Sequence, residues 1–369
     1  MDPERATSAT AHDEDDPGRA RLLSEPLQAR PDTLGMWDAL STCTEQIATA
    51  VRQAEPRGPL PDPGRLDNVV IYGMDAGAMT CDLLEAVAVP LAARPLVALK
   101  SHDLPAFVGA SSLLLAVTWS GEMEETLVLV DSARAAGASV VVVTKGGTLA
   151  TLTERHGQCI VPIPTEAPDS RVSLGALCAL PAVVLERLGL LEGAVRQVEE
   201  AVEVLEQRRN DWLSTDGLAA SVARRIGRTF PLVHGSRGPA AVSARHWKSQ
   251  VNINAKTPAF WSFQPDLCQD EIAGWGQAGD VTRQLLTVVS LRHDGEHPEV
   301  AARFSVVNDM LREVVADVIE VRSRAKSALA VFFDLAMLGD AVSLHLAAKE
   351  GVDPGPVPIF AELQEALGT

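Results

Sequence analysis

The segment from Leu113 to Thr126 (Leu-Leu-Leu-Ala-Val-Thr-Trp-Ser-Gly-Glu-Met-Glu-Glu-Thr) limits the possible folds of this chain more than any other. A short apolar run ends in hydroxyl and glycine residues and passes directly into Glu124, Glu125 and Thr126. That pattern predicts a buried strand, a tight turn and a helix N-terminus. Unpaired backbone N–H groups gather at such a turn, and the helix dipole favours an anion there. Thr118 and Ser120 add hydroxyl donors beside Gly121, so a phosphate-binding loop is expected. Glu122 works against it by putting a negative charge in or beside the turn.

Strand and helix patterns alternate on both sides of this segment. The first series predicts strands over 68–72, 95–99, 112–118, 139–144 and 159–163, with helices over 76–87, 124–136 and 149–156. A helical stretch over 173–212 leads into a second series. Strands are expected there at 230–234, 284–291 and 318–321, with an extended segment at 259–263 and helices at 240–249, 299–315 and 328–351. Strands alternating with helices of about a dozen residues predict a parallel α/β sandwich. Two successive units of similar size suggest two domains related by an internal repeat. The expected organisation is a disordered acidic tail over 1–20, N-terminal helices and a Pro/Gly-rich linker over 21–64, a first domain over 65–215 and a second over 216–369.

At 369 residues, 46% of them hydrophobic, the chain can bury a sizeable core. Its net charge of −17 argues against a nucleic-acid surface, which needs clustered Lys and Arg, and gives no long-range attraction for a phosphorylated ligand. Any phosphate site must therefore be local. The apolar runs at 113–117 and 139–143 are strand-sized, so no membrane span is expected, and the N-terminus lacks a signal-peptide pattern. A cytoplasmic location follows as an expectation. The five cysteines show no CxxC spacing and the eight histidines no ligand spacing, so reduced thiols and no metal are expected.

Several motifs in order carry a resemblance. They are Gly73-Met-Asp-Ala-Gly-Ala-Met-Thr-Cys-Asp82, Thr118-Trp-Ser-Gly-Glu-Met-Glu-Glu-Thr126, Thr144-Lys-Gly-Gly147, Trp247-Lys-Ser-Gln-Val-Asn-Ile-Asn-Ala-Lys256, Pro265-Asp-Leu-Cys-Gln-Asp-Glu-Ile-Ala-Gly-Trp275 and Gly351-Val-Asp-Pro354. Over roughly 67–367 the chain resembles the two-domain sugar isomerase (SIS) proteins, specifically the bifunctional phosphoglucose/phosphomannose isomerases. The resemblance implies two SIS-type, flavodoxin-like α/β domains, a homodimer, no cofactor, and aldose–ketose isomerisation of hexose 6-phosphates. That reaction needs a base to move a proton between C2 and C1, a ring-opening acid–base group, and positive charge for the enediolate.

The residues at the implied catalytic positions are different. The family's base position is Ile253, its ring-opening histidine position is Gln269, and its C-terminal lysine position is Gln364. Isoleucine cannot take a proton, and glutamine is no acid or base near neutral pH. Arg171 keeps the family's arginine. The first phosphate loop gains Asp75 and the second gains Glu122, and both changes should weaken phosphate binding. Thr118, Ser120, Gly121, Thr144 and Lys145 remain able to hold an anion. His246 is the one named substitute for a lost acid–base group, set against a simpler role as a structural histidine. Lys256 and Glu271 match family positions but can equally pair with neighbours or cap a helix. Trp247, Trp261 and Trp275 read most simply as packing residues. Two functions therefore stand at this point: a sugar-phosphate-binding SIS protein with lost or strongly reduced isomerase activity, and an active isomerase using substitute groups.

Overall fold

The computed structural model describes residues 31–74, 76–88, 90–92, 94–164 and 170–367, so the acidic tail expected over 1–20 and Asp75 lie outside the described residues. Strands β1 (Asn68–Tyr72), β2 (Leu96–Leu99), β3 (Ser112–Val117), β4 (Ser139–Thr144) and β5 (Cys159–Pro162) form one parallel sheet in the order 2-1-3-4-5. Strands β6 (Phe230–Ser236), β7 (Phe260–Gln264), β8 (Leu286–Arg292) and β9 (Asp317–Arg322) form a second parallel sheet in the order 7-6-8-9. Every residue of β3 is buried, which explains why that strand is an unbroken apolar run and not an alternating one. The fold is α/β, with parallel sheets flanked by helices.

One apolar core runs from the first sheet to the second. Ile71, Leu115 and Val143 face it from one side and Val233 and Val289 from the other, with Leu177, Val184 and Leu335 packed between. Each fully buried side chain of this size contributes about 1.5–3 kcal/mol. The central helix Ala328–Lys349 is buried from Leu329 to Ala348. It is long and apolar enough to cross a membrane by length and composition, unlike the strand-sized apolar runs at 113–117 and 139–143. Here protein, not lipid, covers it. Its Asp334 is held by Arg208 at 2.5 Å, by the Ser323 hydroxyl at 2.7 Å and by the Arg324 N–H at 2.8 Å, so the buried carboxylate is fully partnered.

Some local expectations shift. The helical stretch over 173–212 is two helices, Leu174–Arg187 and Ala194–Leu213. Helices Leu218–Ile226, Gly279–Leu285 and Pro358–Leu367 were not anticipated. Among the tryptophans, Trp247 is fully buried and donates its indole N–H to the Leu335 carbonyl at 2.7 Å. Trp261 departs from a core role: it stacks on Phe263 on an exposed part of the second sheet.

Candidate ligand site at the switch point of the first sheet

In the order 2-1-3-4-5 the chain leaves β1 toward one edge and β3 toward the other, and ligands of open α/β sheets bind at the strand C-termini where that direction reverses. The loop after β1, described at Gly73 and Met74, and the loop after β3 (118–123) meet there. They touch closely: a Cβ on Gly77 would lie 2.3 Å from the Val117 carbonyl oxygen, so only glycine fits at the start of helix Ala76–Ala88. Register pairs Val117 with Val143, which puts Thr118 and Thr144 side by side at adjacent strand ends. The loops after β3 and β4 are then joined by backbone bonds. Thr118 donates to Val143 at 3.0 Å, Lys145 to Trp119 at 3.1 Å and Leu149 to Gly121 at 3.0 Å. Gly121 has φ 71°, and a Cβ there would sit 2.2 Å from the Gly146 carbonyl oxygen. Glycine is obligatory at this crossing on both counts.

The structure thus brings together Thr118, Ser120, Gly121, Thr144 and Lys145. Their side chains differ in readiness. Ser120 is exposed, and its oxygen accepts the Glu122 N–H at 3.3 Å, leaving its own proton to donate. Thr144 is buried and bonded within its own turn, 3.1 Å from the Gly146 carbonyl and 3.2 Å from its N–H. Its hydroxyl shapes the loop. The Lys145 ammonium lies 5.0 Å from the centre of the Trp119 ring, a cation–π contact that keeps it over this loop.

Glu122 departs from its expected opposition to an anion. Its carboxylate turns onto the neighbouring helix Gly147–Arg155 and accepts from both the N–H and the hydroxyl of Thr148. It caps that helix, where its charge is favoured by the dipole. Helix Glu124–Ala135 begins at Met123 with no side-chain cap, so its first-turn N–H groups face the loop with Ser120. Of two adjacent helix N-termini, one holds the protein's own carboxylate and the other is uncapped.

The remaining sequence-derived residues lie elsewhere. Arg171, in the turn Ser170–Ser173, donates to Asn254 Oδ1 at 3.3 Å and to the carbonyls of Pro354 at 3.4 Å and Gly355 at 2.7 Å. It ties the first half of the chain to the end of helix Pro239–Asn254 and to the loop after the central helix. A narrow cleft there is lined by Met36, Leu40, Arg171, Gln250, Asn254 and Asp340. Burial pushes the thiol of Cys43, also in this wall, up to about 12, so it stays neutral and unreactive. His246 is 3% exposed and its Nε2 lies 2.6 Å from Asp340 Oδ1, so the imidazole reaches the cleft only through that carboxylate. Sequence reasoning missed Asp340, which with Asp334 is one of two carboxylates in a largely apolar helix, and that pair is the signal that points to it.

The implied catalytic positions carry no acid–base group. Ile253 is half-buried near the end of its helix, and Gln269 and Gln364 are exposed. Glu271 remains and faces inward, 2.9 Å from Nε2 of the buried His234 and 3.4 Å from the Trp275 indole nitrogen. Burial is the largest influence on its carboxyl and pushes its pKa up. The hydrogen bond and charge of His234, with bonds from Ser262 and Trp275, outweigh it and hold the pKa below the ordinary value.

Comparison with known proteins fits this geometry. Residues 215–367 match the model of the bacterial phospho-glucose isomerase C-terminal SIS domain. The chain is 31% identical over 306 residues to the bifunctional phosphoglucose/phosphomannose isomerase of Caldicellulosiruptor bescii, covering 82% of this chain and 90% of that protein. This chain belongs to that family. The enzyme of the same name from Aquifex aeolicus is 28% identical over 278 residues, covering 74% of this chain and 82% of its relative. Among solved structures, the C-terminal domain of glucosamine-fructose-6-phosphate aminotransferase from Francisella tularensis superposes with a TM-score of 0.65 at 13% identity. That likeness covers 86% of this chain and 96% of the other, and it speaks to the fold alone.

Proposed function

We propose that this chain binds hexose 6-phosphates and has lost, or strongly reduced, aldose–ketose isomerase activity. The phosphate is taken by the first turn of helix Glu124–Ala135 with Ser120 and the backbone of Gly121, shaped by Thr118 and Thr144 and flanked by Lys145. The observation that carries this reading is the contrast between an uncapped anion loop and Ile253, Gln269 and Gln364 at the family's acid–base positions. Loss of a general acid or base alone slows such a reaction by factors of about 10²–10⁴. Affinity is expected to be weak, since the net charge of −17 attracts no anion from a distance. A cytoplasmic homodimer with domains over 65–215 and 216–369 completes the proposal by family likeness.

The second reading, an active isomerase with substitute groups, has one specific support. Asp340 is a carboxylate in the cleft that Arg171 also lines, and His246 holds it at 2.6 Å. A coupled assay of glucose, mannose and fructose 6-phosphates, run with calorimetric titration of the same ligands, separates the two. Measurable binding with negligible turnover supports the first. Turnover in the common range of about 1–10³ s⁻¹, abolished by Asp340→Asn, replaces it with the second. Absence of binding and turnover in folded protein removes both.

A further inference from the structure

Four of the five cysteines are buried, and burial pushes the thiols of Cys43, Cys81 and Cys178 up to about 12 and that of Cys159 to about 11. They stay neutral and unreactive. Cys268, at the end of the turn Asp266–Cys268 after β7, is the one that is only half-buried. Its place is fixed by its neighbours. Leu267 is buried against the outer face of the second sheet with Leu232 and Val288, and the Cys268 N–H donates to the Pro265 carbonyl at 3.0 Å. The Cys268 thiol donates to Gln264 Oε1 at 3.0 Å. Gln264 closes β7 and is wholly buried, yet Nε2, the other end of the same carboxamide, has no hydrogen-bond partner. A buried N–H without a partner is costly to keep and calls for an acceptor.

A thiol has one proton to donate and its sulfur is a weak acceptor, so it serves only one end of a carboxamide well. A sulfenic acid serves both, because its O–H donates to Oε1 while its oxygen accepts from Nε2. We propose that Cys268 is a modification site, at which hydrogen peroxide forms a sulfenic acid that Gln264 holds through both ends of its carboxamide. In this step the deprotonated sulfur attacks one peroxide oxygen and the O–O bond breaks. The departing hydroxide takes up the thiol's proton as water, so sulfur loses two electrons and peroxide gains them. Pairing with Gln264 holds the product at this stage and slows its passage to the sulfinic acid. The site lies at the end of β7 in the second sheet, apart from the ligand loop of the first, and does not depend on the hexose-phosphate reading.

The test treats the reduced full chain with hydrogen peroxide, traps sulfenic acid with dimedone after a series of delays, and locates the adduct by peptide mass spectrometry. Thermal melts are recorded before and after oxidation. In folded wild type the label should fall on Cys268 and on none of the other four cysteines, and Cys268→Ser should remove it. The oxidised protein should melt no lower than the reduced one, since the new oxygen pairs with an idle N–H. Gln264→Met, which keeps the side chain's length without its polar atoms, should shorten the lifetime of the sulfenic acid about fivefold, the scale of one neutral hydrogen bond. Cys268 without label in folded wild type overturns the inference. A fall in melting temperature on oxidation does the same, because the oxygen then crowds the turn, and so does an unchanged lifetime in folded Gln264→Met. Labelling and melting are read on wild type alone, so they decide the matter even where Gln264→Met fails to fold.

Discussion

Glu122 accepts the N–H of Thr148 at 2.9 Å and its hydroxyl at 2.7 Å, joining the loop after β3 to the first turn of the helix after β4. A carboxylate that would repel phosphate in its own loop instead caps the neighbouring helix. Glu122→Asn should therefore cost about 1 kcal/mol of stability, the usual value of a helix cap. It should tighten hexose 6-phosphate binding by less than the roughly fivefold that removal of a facing charge would give. Urea unfolding and calorimetry on the same preparations test both parts. A fivefold gain in affinity with no loss of stability would mean that Glu122 faces the ligand.

Gly121→Ala is the sharpest probe of the loop itself. The substitution forces a side chain into left-handed backbone and against the Gly146 carbonyl oxygen, 2.2 Å from the new Cβ. The backbone term alone is about 1–2 kcal/mol, and the two loops must separate to make room. Stability should fall by more than that, and hexose 6-phosphate binding should be lost while far-UV circular dichroism of the folded fraction stays unchanged. Unaltered binding in this variant would remove the loop from the ligand site.

The buried pair of Arg208 and Asp334 gives a prediction independent of ligand. Arg208→Ala leaves Asp334, which is fully buried, without its counter-charge. Breaking one side of such a pair costs about 3–5 kcal/mol. Arg208→Met with Asp334→Leu, which removes both charges, should recover part of that loss. A single variant within about 1 kcal/mol of wild type would mean that Ser323 and Arg324 suffice to hold the carboxylate.

Most strands were legible in the sequence as short apolar runs bounded by turn residues, 112–118 the plainest of them, whereas β9 (Asp317–Arg322) alternates buried and charged residues. Helix Leu218–Ile226 escaped notice because its buried face is built largely of alanines. Gly279–Leu285 buries no residue and so carries no stripe to read. The site was legible only as far as local pattern reaches. The turn at Ser120 and its uncapped helix could be read from neighbouring residues, but the capping of Thr148 by Glu122 depends on the register of β3 against β4. Asp340 joins His246 from a helix 94 residues away in sequence. The left-handed backbone of Lys256 had no sequence signal, because the position that usually announces it with glycine holds a lysine.

Glu271 links the second sheet to pH. In the fold, His234, Ser262 and Trp275 together hold its carboxyl below its ordinary value of 4.5, against the opposing effect of burial. A group whose pKa is lowered on folding adds stability that is full above its unfolded value and is lost as pH falls through the folded one. The wild type should therefore lose this contribution progressively as pH drops below the ordinary carboxylate range. Glu271→Gln replaces the charged acceptor with a neutral one. It should cost about 1.5–3 kcal/mol near pH 7, the value of a hydrogen bond to a charged group, and should flatten the acid side of the stability curve. Urea unfolding at a series of pH values measures both effects. If the curves of wild type and Glu271→Gln run parallel from neutral to acid pH, the carboxyl is not held low in the fold, and its contact with His234 serves packing alone.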